Sequence, residues 1–368
     1  MDSNPELSPT EPAALDARAN EHLLRGLSLL ESKATNDLRE AVRCFDLAIS
    51  LRAQLPLAAN PWYRYGLIAG YLNRGDALTR LGSPDNLAAA VAAFDEGLRH
   101  LRELPMHESP LFVKRLTIAW LNRGIALSKQ RLPGSLEAAS ESFSEAIAAA
   151  KHFFSLTPNE GRSLLASAWF NHANTLIQFD PPQAEIARVA AHEALKVIAV
   201  IDSHDATAAD IGFRSRHVLC QALAHLLAEK NDVAQSARDV WWHEATDAVD
   251  SGMALARQWE TRGTEQFRDA ATALFRFGCR VYQLHQPHFL TEFLLENLDP
   301  EHSPDALRAD TALHASAAEA LWQRLAELHR NGFQKLSTPE FQKTLAQLRE
   351  VRLTHERLHE LQRALKNA

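Results

Sequence analysis

The sequence predicts an all-α fold in which helical hairpins stack into a solenoid, and three observations lead to this prediction. Small residues recur every 49 positions, at Gly26, Gly75, Gly124 and Ala173. An aromatic residue keeps the same step at Phe45, Phe94 and Phe143. Ala and Leu, two strong helix formers, dominate the 46% of hydrophobic residues. A repeat of this period indicates hairpins that bury their apolar faces by stacking on one another.

Proline marks the starts of the predicted helices along the chain. A capping side chain precedes each proline, which suits the first helical position because its missing N–H would have no acceptor there. These pairs are Asn60-Pro61, Ser83-Pro84, Ser109-Pro110, Thr157-Pro158, Asp180-Pro181, Ser303-Pro304 and Thr338-Pro339. Thr157 and Glu160 also have the spacing of a capping box. The predicted helices of the first part of the chain are 13–31, 36–54, 61–81, 84–104, 110–130, 136–155, 158–179 and 182–201.

The repeat divides the chain into four parts. Residues 1–12 are polar and contain three prolines, so a disordered tail is predicted there. Residues 13–202 are predicted to form four hairpins of about 49 residues each. Residues 203–300 keep the period only weakly and are predicted to be degenerate repeats. Residues 301–368 have no repeat. Two long helices are predicted there, and because the last of them has one apolar stripe, it should pack on the helix before it as a C-terminal helical hairpin.

Composition excludes several classes of function. The net charge of −7 and the pI near 6.2 argue against a basic nucleic-acid-binding face. No apolar run approaches the length of a membrane span, and the N-terminal residues lack the apolar region of a signal peptide. Three widely spaced cysteines support neither a disulfide framework nor a cysteine zinc site. We therefore expect a cytoplasmic protein that binds neither nucleic acid nor membrane and carries no cofactor.

Two short motifs recur inside the repeated unit. In the predicted first helices, the motif is Tyr71-Leu72-Asn73-Arg74-Gly75, Trp120-Leu121-Asn122-Arg123-Gly124 and Trp169-Phe170-Asn171-His172-Ala173. In the second helices it is Ala41/Phe45/Ala48, Ala90/Phe94/Gly97 and Ala139/Phe143/Ala146. Both motifs resemble the tetratricopeptide repeat family, although the unit here is longer than the usual length of about 34 residues. The resemblance implies a right-handed superhelix whose first helices line a concave groove.

The same resemblance implies where a partner would bind. Side chains of the first helices would contact an extended peptide or a helix of another protein. An asparagine there can bond both the N–H and the C=O of a peptide backbone. The candidate groove residues are Asn73, Asn122, Asn171, Arg74, Arg123, Asp76 and Asn174. In the alternative interpretation, each asparagine bonds a neighbouring helix and only fixes the geometry of the repeats.

Basic residues gather on the same predicted helices. If several of them face the groove, its potential is positive and favours an acidic partner. If they lie on solvated helix faces, they carry no such preference. These residues are Arg64, Arg74, Arg80, Lys114, Arg115, Arg123, Lys129 and Arg162.

One motif points to an enzyme. The run His355-Glu356-Arg357-Leu358-His359 has the spacing at which a helix holds zinc through two imidazoles beside a glutamate base. A catalytic zinc needs a third protein ligand, and only nine residues follow His359. Arg357 also brings a charge between the ligands. We therefore predict no zinc here and no catalytic residue.

The function predicted from these observations is that of a non-catalytic scaffold or adaptor that binds a protein or peptide. The C-terminal hairpin at 301–368 could cap the last repeat or join two copies of the chain. Two alternatives from other classes stay open. One is a ligand-sensing regulator whose superhelix changes pitch on binding. The other is a zinc hydrolase that uses His355, Glu356 and His359.

Overall fold

The computed structural model describes residues 10–32, 34–199, 205–229 and 235–260, with Leu274, Phe277, Gly278 and Val281. Within these residues the chain is helical and has no β-strand, which confirms the all-α prediction. The helices are α1 (Thr10–Leu30), α2 (Thr35–Arg52), α3 (Pro61–Leu81), α4 (Pro84–Leu101), α5 (Pro110–Gln130), α6 (Ser135–Leu156), α7 (Pro158–Leu176), α8 (Ala184–Ile198), α9 (Ala206–Glu229) and α10 (Gln235–Glu260).

The chain divides into two compact units, Met1–Ile201 and Asp202–Ala368. In the first unit, each helix from α1 to α8 packs mainly on the helix before it and the helix after it. The first helices α1, α3, α5 and α7 also contact one another in series. In the second unit, α9 packs on α10. No helix in the described part of the chain has the length and hydropathy that crossing a bilayer requires.

A contact between a glycine and a phenylalanine ring recurs in three hairpins. The rings were predicted to be buried, and at most 1% of the surface of each is exposed: Phe45, Phe94 and Phe143. A Cβ atom on Gly75 would lie 2.6 Å from Cε1 of Phe94. The Gly26–Phe45 and Gly124–Phe143 contacts are equally close, at 2.5 and 2.6 Å. Since any larger residue would collide with the ring, the glycines set the distance between the two helices of each hairpin.

The fourth hairpin replaces both members of this contact. Ala173 stands at the glycine position, and the residue one repeat after Phe143 is the exposed His192. In α8 the buried small residues lie one position earlier, at Ala187, Ala191 and Ala194. Ala173 and Ala191 are both fully buried. The loss of the large ring therefore accompanies the gain of a methyl group on the facing helix.

Most of the predicted helix starts are confirmed. α3, α4, α5 and α7 begin at the predicted prolines. The caps of α3, α4 and α5 accept a hydrogen bond from a backbone N–H of the first turn: Asn60, Ser83 and Ser109. α4 ends at Leu101 rather than at 104. Pro105 disfavours a helical conformation for the residue before it, so the helix stops early. α6 has Phe154 at the position of that proline and continues beyond it.

The capping box predicted at Thr157 and Glu160 is wrong. α6 runs almost directly into α7, with Thr157 as the single residue between them. The Thr157 hydroxyl donates to the carbonyl of Phe153 at 3.0 Å and makes no cap for α7. Glu160 instead pairs with Lys114 across the helices, at 2.9 Å.

The helix start predicted at Asp180-Pro181 is also wrong. α8 begins at Ala184, and Asp180-Pro181 lies in the turn before it. A second proline, Pro182, disfavours the helical conformation at Pro181. Two further predictions of this kind, Ser303-Pro304 and Thr338-Pro339, lie outside the described residues.

Much of the predicted domain organisation at the two ends of the chain lies outside the described residues. α1 begins at Thr10, so it includes the last three residues of the predicted tail 1–12. The C-terminal hairpin predicted at 301–368 lies outside the described residues. So do most of the degenerate repeats expected beyond residue 260.

Candidate functional site

The first helices leave one side uncovered by the second helices. On α3, Gly70 faces α2, where a Cβ would lie 2.8 Å from Cγ1 of Ile49. Leu72 faces α4, and its Cδ2 would lie 2.8 Å from a Cβ on Gly97. The remaining side of α3 carries Trp62, Asn73, Asp76 and Arg80.

The same register positions recur on the other first helices. Because these helices contact one another in series, the positions form one continuous surface in the first unit. We call this surface the first-helix face. It comprises Leu24, Leu27, Trp62, Asn73, Asp76, Arg80, Leu111, Ile118, Asn122, Ile125, Lys129, Asn171, Asn174 and Gln178. It contains five of the predicted groove residues, and the other two are Arg74 and Arg123.

The three predicted asparagines lie on this face at equivalent positions. All three side chains are half-buried. The amides of Asn73 and Asn122 have no hydrogen-bond partner among the described residues. Asn171 donates from Nδ2 to the carbonyl of Ser167 at 2.8 Å, within its own helix. None of the three bonds a neighbouring helix in the described part of the chain.

Arg74 and Arg123 make ion pairs between hairpins. Arg74 Nε lies 2.6 Å from Oδ1 of Asp46 on α2, and Arg123 Nε lies 2.7 Å from Oδ1 of Asp95 on α4. Arg123 also donates to the hydroxyl of Ser142 at 2.7 Å. Each pair joins a first helix to the second helix of the preceding hairpin. We call Asp46–Arg74 and Asp95–Arg123 the ladder ion pairs, and at this exposure each contributes about 0.2–1 kcal/mol.

His172 occupies the next position of the same ladder. Its Nε2 lies 3.0 Å from the Ser140 hydroxyl on α6, whereas Ser144 stands where the earlier hairpins have aspartate. Its Nδ1 is buried without a hydrogen-bond partner. Burial lowers the pKa of His172 below its usual range.

Most of the other basic residues predicted for the groove have intramolecular partners. These contacts are Arg64 with Glu103, Arg80 with Asp76, Lys114 with Glu160, Arg115 with the Tyr65 ring, and Arg162 with the Phe154 ring. Arg80 and Asp76 lie on one helix, 2.9 Å apart, so the predicted groove residue Asp76 has a counter-charge beside it. Lys129 is exposed and has no partner among the described residues.

Four exposed apolar side chains of the first-helix face were missed from the sequence. Their exposed fractions are 64% for Leu24, 37% for Leu27, 49% for Trp62 and 42% for Leu111. Leu24 and Leu27 stand where the second repeat has Asn73 and Asp76. Trp62 and Leu111 are one repeat apart. The sequence could have identified these side chains, because they are apolar at positions where another repeat has a polar residue.

Trp62 belongs to an aromatic cluster at the start of α3 and α5. Its ring lies 5.5 Å from that of Tyr65 and 5.2 Å from that of Phe112, measured between centroids. Arg115 lies over the Tyr65 ring at 4.5 Å. These contacts fix the orientation of the exposed Trp62 ring.

The described residues contain no group of three or more His, Cys, Asp or Glu side chains that could hold a metal ion. The zinc pattern from His355 to His359 lies outside these residues. Cys44 and Cys220 are buried and free, and burial raises the pKa of both thiols, which makes them unreactive.

Two comparisons with known sequences find no relative of this chain. A scan against protein-family models finds no match to this chain. A search of curated proteins finds no similar sequence.

Proposed function

We propose that this chain is a non-catalytic scaffold or adaptor of the tetratricopeptide repeat type. In this proposal the hairpins form a right-handed superhelix, and its concave side is the first-helix face. A peptide or helix of a partner protein binds there. One observation carries the proposal: the amides of Asn73 and Asn122 have no partner within the described residues and lie at equivalent positions of a face that also carries exposed apolar side chains.

The asparagines would recognise the backbone of the partner. Each amide can accept from a peptide N–H through its oxygen and donate to a peptide C=O through its nitrogen. Two such groups one repeat apart would hold an extended segment in a fixed direction. Asn171 would join them by exchanging its bond to the Ser167 carbonyl for one to the partner. Because backbone groups are common to all sequences, these contacts give affinity rather than specificity.

Specificity would come from the apolar side chains. Leu24 and Leu27 lie at one end of the face and Ile118 and Ile125 nearer its middle. Burying such side chains against a partner contributes about 25 cal/mol per Å². An acidic partner has less support, because most cations near the face already have partners. An acidic group could reach Lys129, which is exposed.

Replacing Asn73, Asn122 and Asn171 together by Ala tests this proposal. A protein captured from the native host with the full wild-type chain should bind the triple variant at least tenfold more weakly, since each lost pair of hydrogen bonds costs about 1 kcal/mol or more. Helical content by circular dichroism should not change. Asn86→Ala, on α4, is the matched control and should bind normally. If melting temperature and binding fall together in the triple variant, the asparagines have a structural role instead.

Two measurements separate the alternatives. A ligand-sensing regulator would change its scattering profile when the captured peptide is added, whereas a rigid scaffold would not. A zinc hydrolase would purify with one zinc per chain that is lost in the His355→Ala/His359→Ala variant. Absence of this zinc is expected. The proposed location is the cytoplasm, and self-association through 301–368 stays a prediction.

A further inference from the structure

Three junctions between hairpins in the first unit can be compared at one register. The first two carry the ladder ion pairs Asp46–Arg74 and Asp95–Arg123. At the third junction, between α6 and α7, both charged residues are replaced. Ser144 stands in the aspartate position and His172 in the arginine position. A permanent ion pair is thereby exchanged for a neutral imidazole bonded to the Ser140 hydroxyl at 3.0 Å.

The surroundings of His172 do not favour a positive charge. On α6 the ring contacts the Ser140 hydroxyl. On α8, whose buried residues lie one position earlier than in the other second helices, the position equivalent to Ser142 is the buried Ala190. The charged or titratable residues at this level of α5, α6 and α8 are Arg123, Glu137, Glu141, Arg188, His192 and Glu193. Burial, rather than any of these groups, lowers the pKa of His172. Its Nδ1 lacks a partner in either tautomer.

We propose that the junction between the third and fourth hairpins is an acid-sensitive joint, in which protonation of His172 loosens α7 from α6 while the two ladder ion pairs hold the earlier junctions. A protonated imidazole has two N–H donors, and the one at Nδ1 would be buried without an acceptor. Loosening of α7 moves Asn171 out of register with Asn122. This consequence for partner binding rests on the proposed function, whereas the joint itself does not.

The direction of the effect follows from the lowered pKa. The folded chain holds the His172 proton less tightly than the unfolded chain, whose histidine has the ordinary pKa of 6.5. The joint is therefore at full strength above this pH. It weakens as the pH falls through the lower folded-state value.

Hydrogen exchange on the full chain tests the joint. Peptides from α7 are followed at about pH 7.5 and about pH 5, after correction for intrinsic rates, and peptides from α2, which contains no histidine, serve as the internal reference. In the wild type, α7 exchange should rise about fivefold or more relative to α2 at the lower pH. Two variants remove the titrating group: His172→Gln keeps a neutral side chain, and Ser144→Asp/His172→Arg rebuilds a ladder ion pair. In both, the rise should stay below about twofold.

The two variants keep the test decisive. If His172→Gln disturbs folding, the Ser144→Asp/His172→Arg variant can still be compared with the wild type. Its joint carries an ion pair at both pH values, whereas the wild-type joint titrates. The proposal is overturned if α7 exchange in the wild type does not rise at the lower pH, or if it rises equally in the variants. Because no partner is present in this measurement, its outcome is independent of whether the first-helix face binds a peptide.

Discussion

Gly75 shows how a residue without a side chain sets the spacing of two helices. Its Cα faces the Phe94 ring so closely that a methyl group would lie 2.6 Å from the nearest ring carbon. Real Cβ contacts are not so short, so the ring or the helix would have to move. Two further pairs repeat this geometry one unit away on either side.

Gly75→Ala should therefore destabilise the first unit. Overpacking of a well-packed core costs about 1–3 kcal/mol, and the rigid ring leaves few ways to relax. Urea denaturation followed by circular dichroism measures the loss. The matched control is Ala173→Gly, where the facing ring is missing and the change should stay within about 1 kcal/mol. Equal losses at the two positions would contradict the role of the ring.

His100 makes stability depend on pH at a second place. The ring is buried against Tyr71, with centroids 5.8 Å apart, and Arg99 donates to its Nε2 at 2.9 Å. Burial first, and then the charges of Arg99 and Arg64, lowers the pKa of His100 below its ordinary value. Since the unfolded chain takes up this proton more readily, the contribution of His100 is fully present above pH 6.5 and is lost as the pH falls through the folded-state pKa.

His100→Leu should reduce this pH dependence. Leucine occupies the equivalent position of the first hairpin, at Leu51, so the side chain is compatible with the repeat. The free energy of unfolding is measured by urea at about pH 7.5 and about pH 5, and the variant should lose less of it than the wild type. His172 is present in both proteins, so the difference reports His100. An identical loss in both proteins would show that His100 does not contribute.

The candidate groove residues fall into two groups, the asparagines and the arginines. The sequence placed Asn73, Asn122 and Asn171 correctly in register, because a period identifies equivalent positions directly. It did not show that Arg74 and Arg123 pair with other helices. Their partners lie 28 residues earlier, and a pattern of local motifs does not reveal such a distance. The equal spacing of Asp46 and Asp95 was the available signal.

At the scale of the helices, Arg52 joins three of them. The residue belongs to α2 and is 3% exposed. Its Nε pairs with Asp16 on α1 at 2.9 Å, its Nη1 donates to the Gly66 carbonyl on α3 at 2.9 Å, and its Nη2 bonds Asn20. A Cβ on Gly66 would lie 2.7 Å from the Arg52 Nε, so a larger residue there would displace the guanidinium. The next hairpin has a buried leucine, Leu101, at this position.

Removal of this side chain should be costly. Arg52→Ala leaves the polar groups of α1 and α3 without their buried partner, and loss of one member of a buried pair costs about 3–5 kcal/mol. Arg25→Ala removes an exposed arginine that pairs with Glu40, and should change stability by about 0.5 kcal/mol or less. Thermal and urea denaturation of both variants give the comparison. Similar effects of the two substitutions would refute the buried role of Arg52.

Helix boundaries were predictable where the local signal was unopposed. Asn60, Ser83 and Ser109 cap helices as expected because proline follows each of them and a loop precedes each. α7 also begins at the predicted Pro158, but Thr157 does not cap it, because α6 ends directly before Thr157 and the hydroxyl donates to the Phe153 carbonyl of α6. Asp180 failed because two prolines follow it. At Thr157 the preceding helix competes for the hydroxyl, whereas after Asp180 the second proline delays the helix start to Ala184.

At the scale of the molecule, the first unit contains several buried cores of its own. Phe45, Phe94 and Phe143 each lie in a separate cluster. Helix pairing is sequential throughout this unit, and local contacts of this kind favour independent folding. We therefore expect residues 1–201 to fold without the remainder of the chain.

Expression of residues 1–201 alone tests this expectation. The fragment should give the circular dichroism spectrum of a helical protein and one cooperative urea transition. The intact chain, measured in parallel, is the control. A broad, non-cooperative transition in the fragment would show that the first unit depends on residues beyond Ile201.

Because the ladder ion pairs occupy equivalent positions at successive junctions, a hairpin could be added to the molecule. Where α2 presents Val42, Asp46 and Ile49 to the next hairpin, α4 presents Val91, Asp95 and Leu98. A second copy of residues 60–108 inserted after the first would thus contact equivalent side chains on both sides. Asp95 of the first copy would lie opposite Arg74 of the second. Evolution or an engineer could lengthen this protein one hairpin at a time, and each added unit would extend the surface without a newly designed interface.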